Sequence, residues 1–297
     1  MGSVRNFILL PTALAVLVVA SAPCAAGRLF VPGRQIKVER TVVRARLVSN
    51  RLACTTQGDA GRFAFVDFVD GTVLYYTSEA GEARRFRPSL LCALGGKAVI
   101  LDELINRLDY YGTDGNSTAS CALAEEVLAV KHGAPVDLLP LGERFGEGFL
   151  ILSERGMVLT VNAEGRLVAR TSLREAFNLP EAFFARGGGL TSGKLHFAFS
   201  PNTAKMLLFS HDGGAHTDVD LSRFLPGEAM LSDAVALADN EFLVARGAGV
   251  FLLANGAATA LPLGAKFSAD APLQLDWRDS LLLIYNSQGE MLVGELK

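Results

Sequence analysis

Two stretches of the chain carry the same pattern, AFVDFVDGTVLYYTSEAGE at residues 64–82 and AVILDELINRLDYYGTDGN at residues 98–116. Each has an apolar segment that ends in Asp, a polar turn, an apolar segment that ends in Tyr-Tyr, and a turn centred on Gly. The apolar segments are short, are bounded by turn residues and lack the 3.6-residue period of a helix, which predicts β-strands. The two stretches therefore predict a repeated pair of antiparallel strands.

Four weaker copies of this pattern follow, beginning near residues 148, 195, 241 and 280. The last residue of the first strand in each copy is an anchor for comparison, and the six anchors are Asp67, Asp102, Ser153, Ser200, Ala245 and Tyr285. Successive anchors are 35 to 51 residues apart, an interval typical of a supersecondary unit in a repeat protein. The chain is therefore predicted to contain six such units.

Each unit has a further short strand on either side, as at residues 89–94 and 117–123 around the second copy. Four short strands per unit are typical of a propeller blade. The sixth copy runs to Lys297 without room for a fourth strand, whereas residues 41–48, TVVRARLV, form an unassigned strand near the start. We therefore predict an all-β fold, a single β-propeller of six four-stranded blades, closed by pairing of the strand at 41–48 with the C-terminal blade.

The second unit combines an apolar strand, Asp102, four residues, Arg107, an aromatic strand and an Asp-Gly turn. This arrangement resembles the repeat of NHL-type six-bladed β-propellers. The first copy keeps Asp67 but has Val73 near the arginine position, and later copies lack both residues. The resemblance covers the chain as an architecture, so it implies the fold and carries little about activity.

Residues 1–26 differ in composition from the rest of the chain. Arg5 is their only charge, residues 7–20 are almost wholly apolar, and small side chains follow. This layout predicts a secretory signal peptide, cleaved after Ala26, ahead of a propeller domain at 27–297. We therefore expect an exported protein, periplasmic or extracellular. No membrane span is expected after cleavage, since the apolar run is shorter than the roughly 20 residues of a transmembrane helix.

The charge of the chain argues against a polyanionic partner. Its 28 basic and 31 acidic residues give a formal net charge of −3, and loss of the signal segment with its one arginine makes it −4. Nucleic-acid binding is therefore not expected. The densest basic clusters are interpreted as solvated strand faces. These clusters are Arg84, Arg85 and Arg87 in one stretch and Arg40, Arg44 and Arg46 in another.

Three cysteines remain after removal of the signal segment, Cys54, Cys92 and Cys121. In an oxidising compartment, one disulfide and one free thiol are the simplest arrangement. A Cys92–Cys121 bond would close the shorter loop, whereas Cys54 and Cys92 hold comparable strand positions in neighbouring units. Three buried, unpaired thiols are an open alternative, because free Cys is among the most buried residue types.

The segment SHDGGAH places His211, Asp212 and His216 close together in sequence, and two imidazoles with a carboxylate can hold a metal ion. Its Asp-Gly-Gly core favours a hairpin turn instead. We therefore predict neither a metal site nor a cofactor, with a divalent cation such as calcium as the alternative. Asp67 and Asp102 are interpreted as turn-forming residues at strand ends rather than as a catalytic carboxylate pair.

One segment interrupts the strand pattern with a helix signal. Ser172 and Glu175 form a capping box, in which the hydroxyl accepts the third backbone N–H and the carboxylate reaches back. A short helix is therefore predicted to begin there and to end near Asn178, ahead of Pro180.

The sequence carries no Gly-x-Ser-x-Gly, His-Glu-x-x-His or Cys-x-x-Cys motif, the common hydrolase, zinc and redox signatures. It assigns no catalytic residue and leaves the ligand-binding residues open. With the fold, this favours a non-enzymatic exported propeller that binds a protein or small-molecule ligand through loops at one end of its channel. One alternative is a propeller-type hydrolase or lyase that uses Asp, Glu or His at the channel mouth with a divalent metal. Another is a structural component of an envelope assembly.

Overall fold

The computed structural model describes residues 28–57, 63–76, 88–142, 148–190, 195–225 and 230–297. The signal segment predicted at 1–26 lies outside these residues. The described chain is almost entirely β-structure, with 24 strands arranged in six four-stranded antiparallel sheets. The predicted all-β class and the six four-stranded units are confirmed.

The strands follow one another with few helical interruptions. In chain order they are β1 (Phe30–Lys37), β2 (Val42–Val48), β3 (Arg51–Thr56), β4 (Phe63–Asp67), β5 (Val73–Tyr76), β6 (Pro88–Leu94), β7 (Lys97–Asp102), β8 (Arg107–Tyr111), β9 (Ser117–Ala122), β10 (Pro135–Pro140), β11 (Phe149–Ser153), β12 (Met157–Val161), β13 (Leu167–Ser172), β14 (Arg186–Gly189), β15 (Leu195–Ser200), β16 (Lys205–Ser210), β17 (Ala215–Asp220), β18 (Leu231–Ala238), β19 (Glu241–Arg246), β20 (Gly249–Ala254), β21 (Ala257–Ala260), β22 (Leu273–Arg278), β23 (Leu281–Asn286) and β24 (Glu290–Leu296). The helical turns within the described residues are α1 (Leu173–Ala176) and two 3₁₀ turns, Val130–His132 and Leu221–Arg223.

Six blades surround a central axis. Blade 1 contains β2–β5, blade 2 β6–β9, blade 3 β10–β13, blade 4 β14–β17 and blade 5 β18–β21, and blade 6 combines β22–β24 with β1. The first strand of each blade contacts the first strand of the next, and β22 of blade 6 contacts β2 of blade 1. This closed circle of contacts is the six-bladed β-propeller that the repeat pattern predicts.

The ring closes through β1, which is the fourth strand of blade 6. It pairs antiparallel with β24, from Phe30 opposite Leu296 to Lys37 opposite Glu290. Closure by an N-terminal strand is therefore confirmed, but the assignment of residues 41–48 to this position is wrong. That segment is β2, the first strand of blade 1, which pairs with β3.

The cause of this error is that the first copy of the repeat is displaced by one strand. Asp67 ends β4, the third strand of blade 1, whereas Asp102 ends β7, the second strand of blade 2. The true counterpart of Asp102 is Thr56, the last residue of β3, 46 positions earlier. The two Tyr-Tyr stretches are therefore alike as local hairpins only. The other anchors lie at, or one residue before, the end of a second strand, namely Ser153, Ser200, Ala245 and Tyr285.

Burial explains why the strands of a blade differ in composition from the axis outward. The second strands lie between neighbouring blades, and β11 (FLILS) and β15 (LHFAFS) are buried along nearly their whole length. The fourth strands lie at the rim, where β17 (AHTDVD) and β21 (AATA) consist of exposed or half-buried residues. Burial of apolar surface, at roughly 25 cal/mol per Å², is the main term that stabilises the packing of the blades.

The turns define two faces of the propeller, because neighbouring strands in each blade are antiparallel. Face 1 carries the turns between first and second strands and between third and fourth strands. Face 2 carries the turns between second and third strands and the connections from one blade to the next.

The connection from blade 3 to blade 4 contains the predicted helix. The hydroxyl of Ser172 accepts the backbone N–H of Glu175 at 3.3 Å, so the predicted start of α1 is confirmed. The helix ends at Ala176, before Asn178, whose φ of 52° does not continue a right-handed helix. Among the described helices, none combines the length and the apolar character needed to cross a membrane.

Candidate functional site

A cavity of about 270 Å³ lies at the face 1 end of the central channel. The first strands of all six blades contribute to its lining. Residues that follow the ends of first strands, Gly95, Gly142 and Asp279, lie at its rim. Residues that are far apart in sequence therefore meet at one site on the axis.

The floor of the cavity is a cluster of two arginines and two aspartates from four first strands. This axial cluster consists of Arg46 (β2), Asp137 (β10), Arg186 (β14) and Asp276 (β22). Arg46 donates from Nη2 to both carboxylate oxygens of Asp137, at 2.7 and 2.9 Å, and Arg186 donates from Nη2 to Asp276 at 3.0 Å. Each arginine also lies near the other aspartate, with Nε–Oδ distances of 3.6 and 3.7 Å. The four side chains therefore form one ionic network.

Axial carboxylates also join neighbouring blades. In three places an aspartate on the first strand of one blade accepts a backbone N–H from the first strand of the next. The pairs are Asp137 with Gly187 at 3.0 Å, Asp233 with Leu275 at 2.8 Å, and Asp276 with Leu47 at 2.8 Å. Hydrogen bonds between a charged group and the backbone are stronger than neutral ones, so these carboxylates help to position the first strands.

A third arginine, Arg44, lies beside the axial cluster. Its Nη1 is 3.5 Å from Asp137, and its Nη2 donates to the carbonyl of Val136 at 2.6 Å. Burial opposes the ionisation of Asp137, but the surrounding arginines and the Gly187 amide outweigh it and lower the pKa of that carboxyl. Asp137 is therefore a carboxylate at neutral pH.

Asp233 differs from Asp137 in its electrostatic environment. Its pKa is raised, because burial exceeds the opposing effects of Arg186, the Leu275 amide and the other arginines. The centre of the channel thus combines three guanidinium groups with the carboxylates of the axial cluster and a further carboxyl whose ionisation is opposed by burial.

Arg186 is buried, with 3% of its surface exposed, and it is incompletely hydrogen-bonded. Within the described part of the chain, its Nε and Nη1 atoms have no hydrogen-bond partner, and the same holds for Nε of Arg44. A buried polar group without a partner costs about 1–3 kcal/mol, and more when it is charged. The floor of the cavity therefore has unused N–H donors.

Besides the axial cluster, the cavity is lined by a group of apolar side chains and by the charged residues Arg278 and Asp279. The apolar side chains include Leu47, Leu138, Phe197 and Val235, all of which are buried. Trp277, the only tryptophan of the chain, also lines the cavity. Apolar walls with a few convergent polar groups are the usual composition of a small-molecule site.

His196 lines the cavity and pairs with His211. Its Nε2 lies 2.6 Å from Nδ1 of His211, so one ring donates to the other. Burial, with a smaller contribution from His211, lowers the pKa of His196 to about 4. The ring is therefore uncharged at neutral pH, and its Nδ1 has no partner among the described residues.

The structure separates the three residues considered as metal ligands. Each has a different partner: His211 contacts His196, Asp212 accepts the N–H of Gly214 at 3.0 Å, and Nε2 of His216 lies 3.8 Å from Asp239. In the ranges that the structure describes, no three His, Cys, Asp or Glu side chains are grouped so as to hold a metal ion. The predicted hairpin turn is present at Asp212, but His211 is half-buried rather than exposed.

Cys54, Cys92 and Cys121, all within the described ranges, are free thiols, so neither predicted disulfide is formed. Cys92 and Cys121 lie on the first and fourth strands of blade 2, and three strand spacings of about 4.8 Å exceed the roughly 7 Å limit between bridged Cα atoms. Cys54 and Cys92 belong to different core clusters. Burial raises the pKa of Cys54 to about 12.

Asp67 and Asp102 form turns, as the sequence predicts. Asp67 accepts the N–H of Val69 at 2.8 Å, and Asp102 accepts the N–H of Leu104 at 3.0 Å. Because Asp67 ends a third strand and Asp102 a second strand, they lie on faces 1 and 2 respectively. They are not a pair of carboxylates at one site.

No protein-family model matches the chain, and no curated protein sequence matches it significantly. Solved structures match its fold. Streptogramin B lyase aligns with 90% of this chain and 98% of its own, with a TM-score of 0.59 and 10% identity. A catalytically inactive virginiamycin B lyase from Staphylococcus aureus with quinupristin aligns with 86% of this chain and 80% of its own, with a TM-score of 0.54 and 11% identity. YCF48 bound to D1 peptide aligns with 93% of this chain and 99% of its own, with a TM-score of 0.55 and 12% identity.

The likeness is one of fold alone. At identities of 9 to 12%, the activity of those proteins cannot be inferred for this chain. One fold hosts many functions. The site of this propeller has to be argued from its own residues.

The interpretation of Arg44 and Arg46 as part of a solvated strand face is wrong. Both are largely buried beside the axis, with 6% of Arg46 exposed. The available signal was the segment TVVRARLV, in which two arginines two positions apart share one face of an otherwise apolar strand. Asp137 and Arg186 carry no comparable local signal, because their partners lie in other blades.

Proposed function

We propose that the protein is an exported, non-enzymatic β-propeller that binds a ligand in the cavity at face 1. The observation that carries this proposal is the cavity itself, in which apolar walls surround a floor with unpartnered N–H donors. Six rigid first strands hold these groups in place, so that little ordering is needed on binding. At about 270 Å³ the cavity is near the lower end of the usual range of roughly 300–1,000 Å³ for ligand sites, which favours a small ligand or a single side chain of a protein partner.

Two of the solved propellers of similar fold carry a ligand in their printed descriptions, quinupristin in one case and a D1 peptide in the other. Ligand binding is thus compatible with this architecture. The identity of the ligand has to come from the chemistry of the cavity, because neither alignment exceeds 12% identity.

Binding is tested with a chemically diverse fragment library, read by the intrinsic fluorescence of Trp277 and by ligand-observed NMR. Gly189 lines the cavity, and a Cβ placed on it meets only Nδ1 of His196, at 3.7 Å. Gly189→Leu therefore fills the cavity without backbone strain. Ala260→Leu, on the exposed strand β21, is the matched control.

We expect a subset of fragments to change Trp277 fluorescence in the wild type and in Ala260→Leu but not in Gly189→Leu. Fragments that bind all three proteins equally would place the ligand elsewhere and contradict the proposal. The proposal is also contradicted if Gly189→Leu abolishes the binding of no fragment.

Export rests on the composition of residues 1–26 and is tested separately. Expression of the full chain in a secreting host, followed by N-terminal sequencing, is expected to give a mature protein that begins at Gly27. Recovery of the chain with its N-terminal segment intact would contradict export by this route.

An enzymatic function is the second candidate, and one observation favours it. His196 is an uncharged imidazole in the cavity wall, and its Nδ1 has no partner among the described residues, so the ring has a nitrogen free for proton transfer. Its pKa of about 4 makes it a weak general base at neutral pH. If this candidate is correct, NMR spectra of bound fragments or esters will show new product signals over hours, and His196→Gln will abolish them. Unchanged ligand spectra support the non-enzymatic proposal.

A further inference from the structure

The floor of the cavity has the chemistry of an oxyanion site. Two of the three nitrogens of the Arg186 guanidinium have no hydrogen-bond partner in the described chain, although the residue is 97% buried and lines the cavity. Nε lies 3.7 Å from Asp137 and Nη2 donates to Asp276, which leaves Nη1 as the donor for a further anion. A hydrogen bond from a guanidinium to a carboxylate is charge-assisted and therefore strong. Water is a poorer match, because it brings no charge.

The charges around Arg186 set the charge of the ligand. Arg44, Arg46 and Arg186 face Asp137 and Asp276, whose carboxylates lie within 3.7 Å of the arginines. Asp233 is a third carboxyl near these arginines, and burial opposes its ionisation. The group carries no net charge when Asp233 is ionised and one positive charge when it is protonated, so the site has room for at most one further negative charge. A second would meet uncompensated repulsion from the aspartates in a site of low dielectric.

The walls of the cavity determine the chemistry of the rest of the ligand. Leu47, Leu138, Phe197, Val235 and Trp277 line the cavity together with the charged floor. Arg278 and Asp279 also line it, and they form an ion pair with each other. The apolar side chains offer contact to the body of a small molecule but few hydrogen bonds. A ligand that fits both parts has one anionic end and a short apolar body.

We infer that the ligand is a small monocarboxylate, with its carboxylate toward Arg186 and its apolar body against the walls. This inference rests on the proposed function, since it names the ligand class of the same cavity. An apolar acid is also preferred over inorganic phosphate, which lacks an apolar body and is partly a dianion at neutral pH.

The test compares phenylacetate with its neutral amide, phenylacetamide, and with inorganic phosphate. Titrations of the wild type follow Trp277 fluorescence and the heat of binding. Phenylacetate is expected to bind at least tenfold more tightly than phenylacetamide, and phosphate to bind more weakly than phenylacetate. This comparison uses the unaltered protein and therefore does not depend on whether a variant folds.

Variants of Arg186 then locate the contact. Arg186→Gln is expected to weaken phenylacetate at least tenfold and to leave phenylacetamide within twofold, while Arg186→Lys has an intermediate effect. Arg223→Gln, which removes an exposed arginine from an ion pair with Asp220 on blade 4, is the control and should change neither. Thermal unfolding of each variant shows that the comparison is made between folded proteins.

The outcomes separate the two proposals. If phenylacetamide binds as tightly as phenylacetate, or Arg186→Gln affects both equally, the monocarboxylate inference is overturned while cavity binding stands. If phosphate binds most tightly, the site takes an anion of a different class and the inference fails in the same way. If neither these compounds nor any library fragment responds to Gly189→Leu, the proposed function itself has failed.

Discussion

Asp276 of blade 6 accepts the backbone N–H of Leu47 of blade 1 at 2.8 Å, across the point where the two ends of the propeller meet. The residues are 229 positions apart. The same carboxylate accepts a hydrogen bond from Nη2 of Arg186 at 3.0 Å. The ring is thus closed twice, by the β1–β24 pairing at the rim and by this contact at the axis.

The axial closure predicts that Asp276→Asn is strongly destabilising. The substitution leaves Arg186 and Arg46 without one of their two carboxylates, and removal of one partner from a buried ion pair costs about 3–5 kcal/mol. Chemical denaturation should show a loss of this size. Asp279→Asn, with its side chain 85% exposed in the adjacent turn, is the control and should change the free energy of unfolding by less than about 0.5 kcal/mol. If the two substitutions change the free energy of unfolding equally, Asp276 has no special role in closing the ring.

The rim closure predicts that a chain beginning at residue 38 associates with itself. Without β1, the edge of β24 presents unpaired N–H and C=O groups, a template for pairing with a second chain. Analytical ultracentrifugation should show concentration-dependent oligomers and a lowered Tm relative to a chain that begins at residue 28. A monomeric truncated chain of unchanged Tm would show that β1 is dispensable.

The His196–His211 pair predicts a specific loss of stability in acid. The folded-state pKa of His196, about 4, lies below its ordinary value of 6.5, so the unfolded state binds its proton first. The stabilisation is fully present above pH 6.5 and is lost as the pH falls toward 4. A shift of this size corresponds to about 3 kcal/mol.

This loss is measured as the difference between the wild type and His196→Gln, because carboxylates in both proteins also titrate in this range. The difference in the free energy of unfolding should shrink between pH 6.5 and 4 and then stay constant. A difference independent of pH, or an NMR titration of His196 with a midpoint near 6.5, would contradict the depressed pKa.

The cysteine environments predict that one thiol reacts quickly in the native protein. Burial raises the pKa of all three thiols, but Cys54 and Cys92 are buried, whereas Cys121 is partly exposed and can be reached by a reagent. A chain that begins at residue 28 should react with a thiol reagent at Cys121 first and at the other two only on unfolding. An intact mass lower by two hydrogens, or fast reaction of all three thiols, would disagree with the structure.

Much of the fold was predictable because its signals are local. Short apolar strands with Asp and Gly turns recur along the chain, and second strands such as β11 are apolar up to their last residue because they pack between two blades. The turn roles of Asp67 and Asp102 and the helix start at Ser172 were predictable for the same reason, since each depends on neighbours within three residues.

The site was not predictable to the same degree. Arg46 and Asp137 are 91 positions apart, and Arg186 and Asp276 are 90 apart. Their ion pairs therefore cannot be predicted from a local sequence motif. Because the first repeat was aligned one strand out of place, β2 was predicted to be the outer strand of blade 6 instead of the first strand of blade 1. Its two arginines were accordingly interpreted as solvent-exposed.

From its amino-acid order alone, this protein is a ring of six self-similar β-units, since hydrophobic periodicity and turn chemistry act over a few residues. Which strand completes the ring, which charges meet at its centre and which thiols stay apart were decided by the tertiary structure. Those contacts depend on where whole blades lie relative to one another, and burial in a common channel, rather than closeness along the chain, brings Arg46, Asp137, Arg186 and Asp276 together.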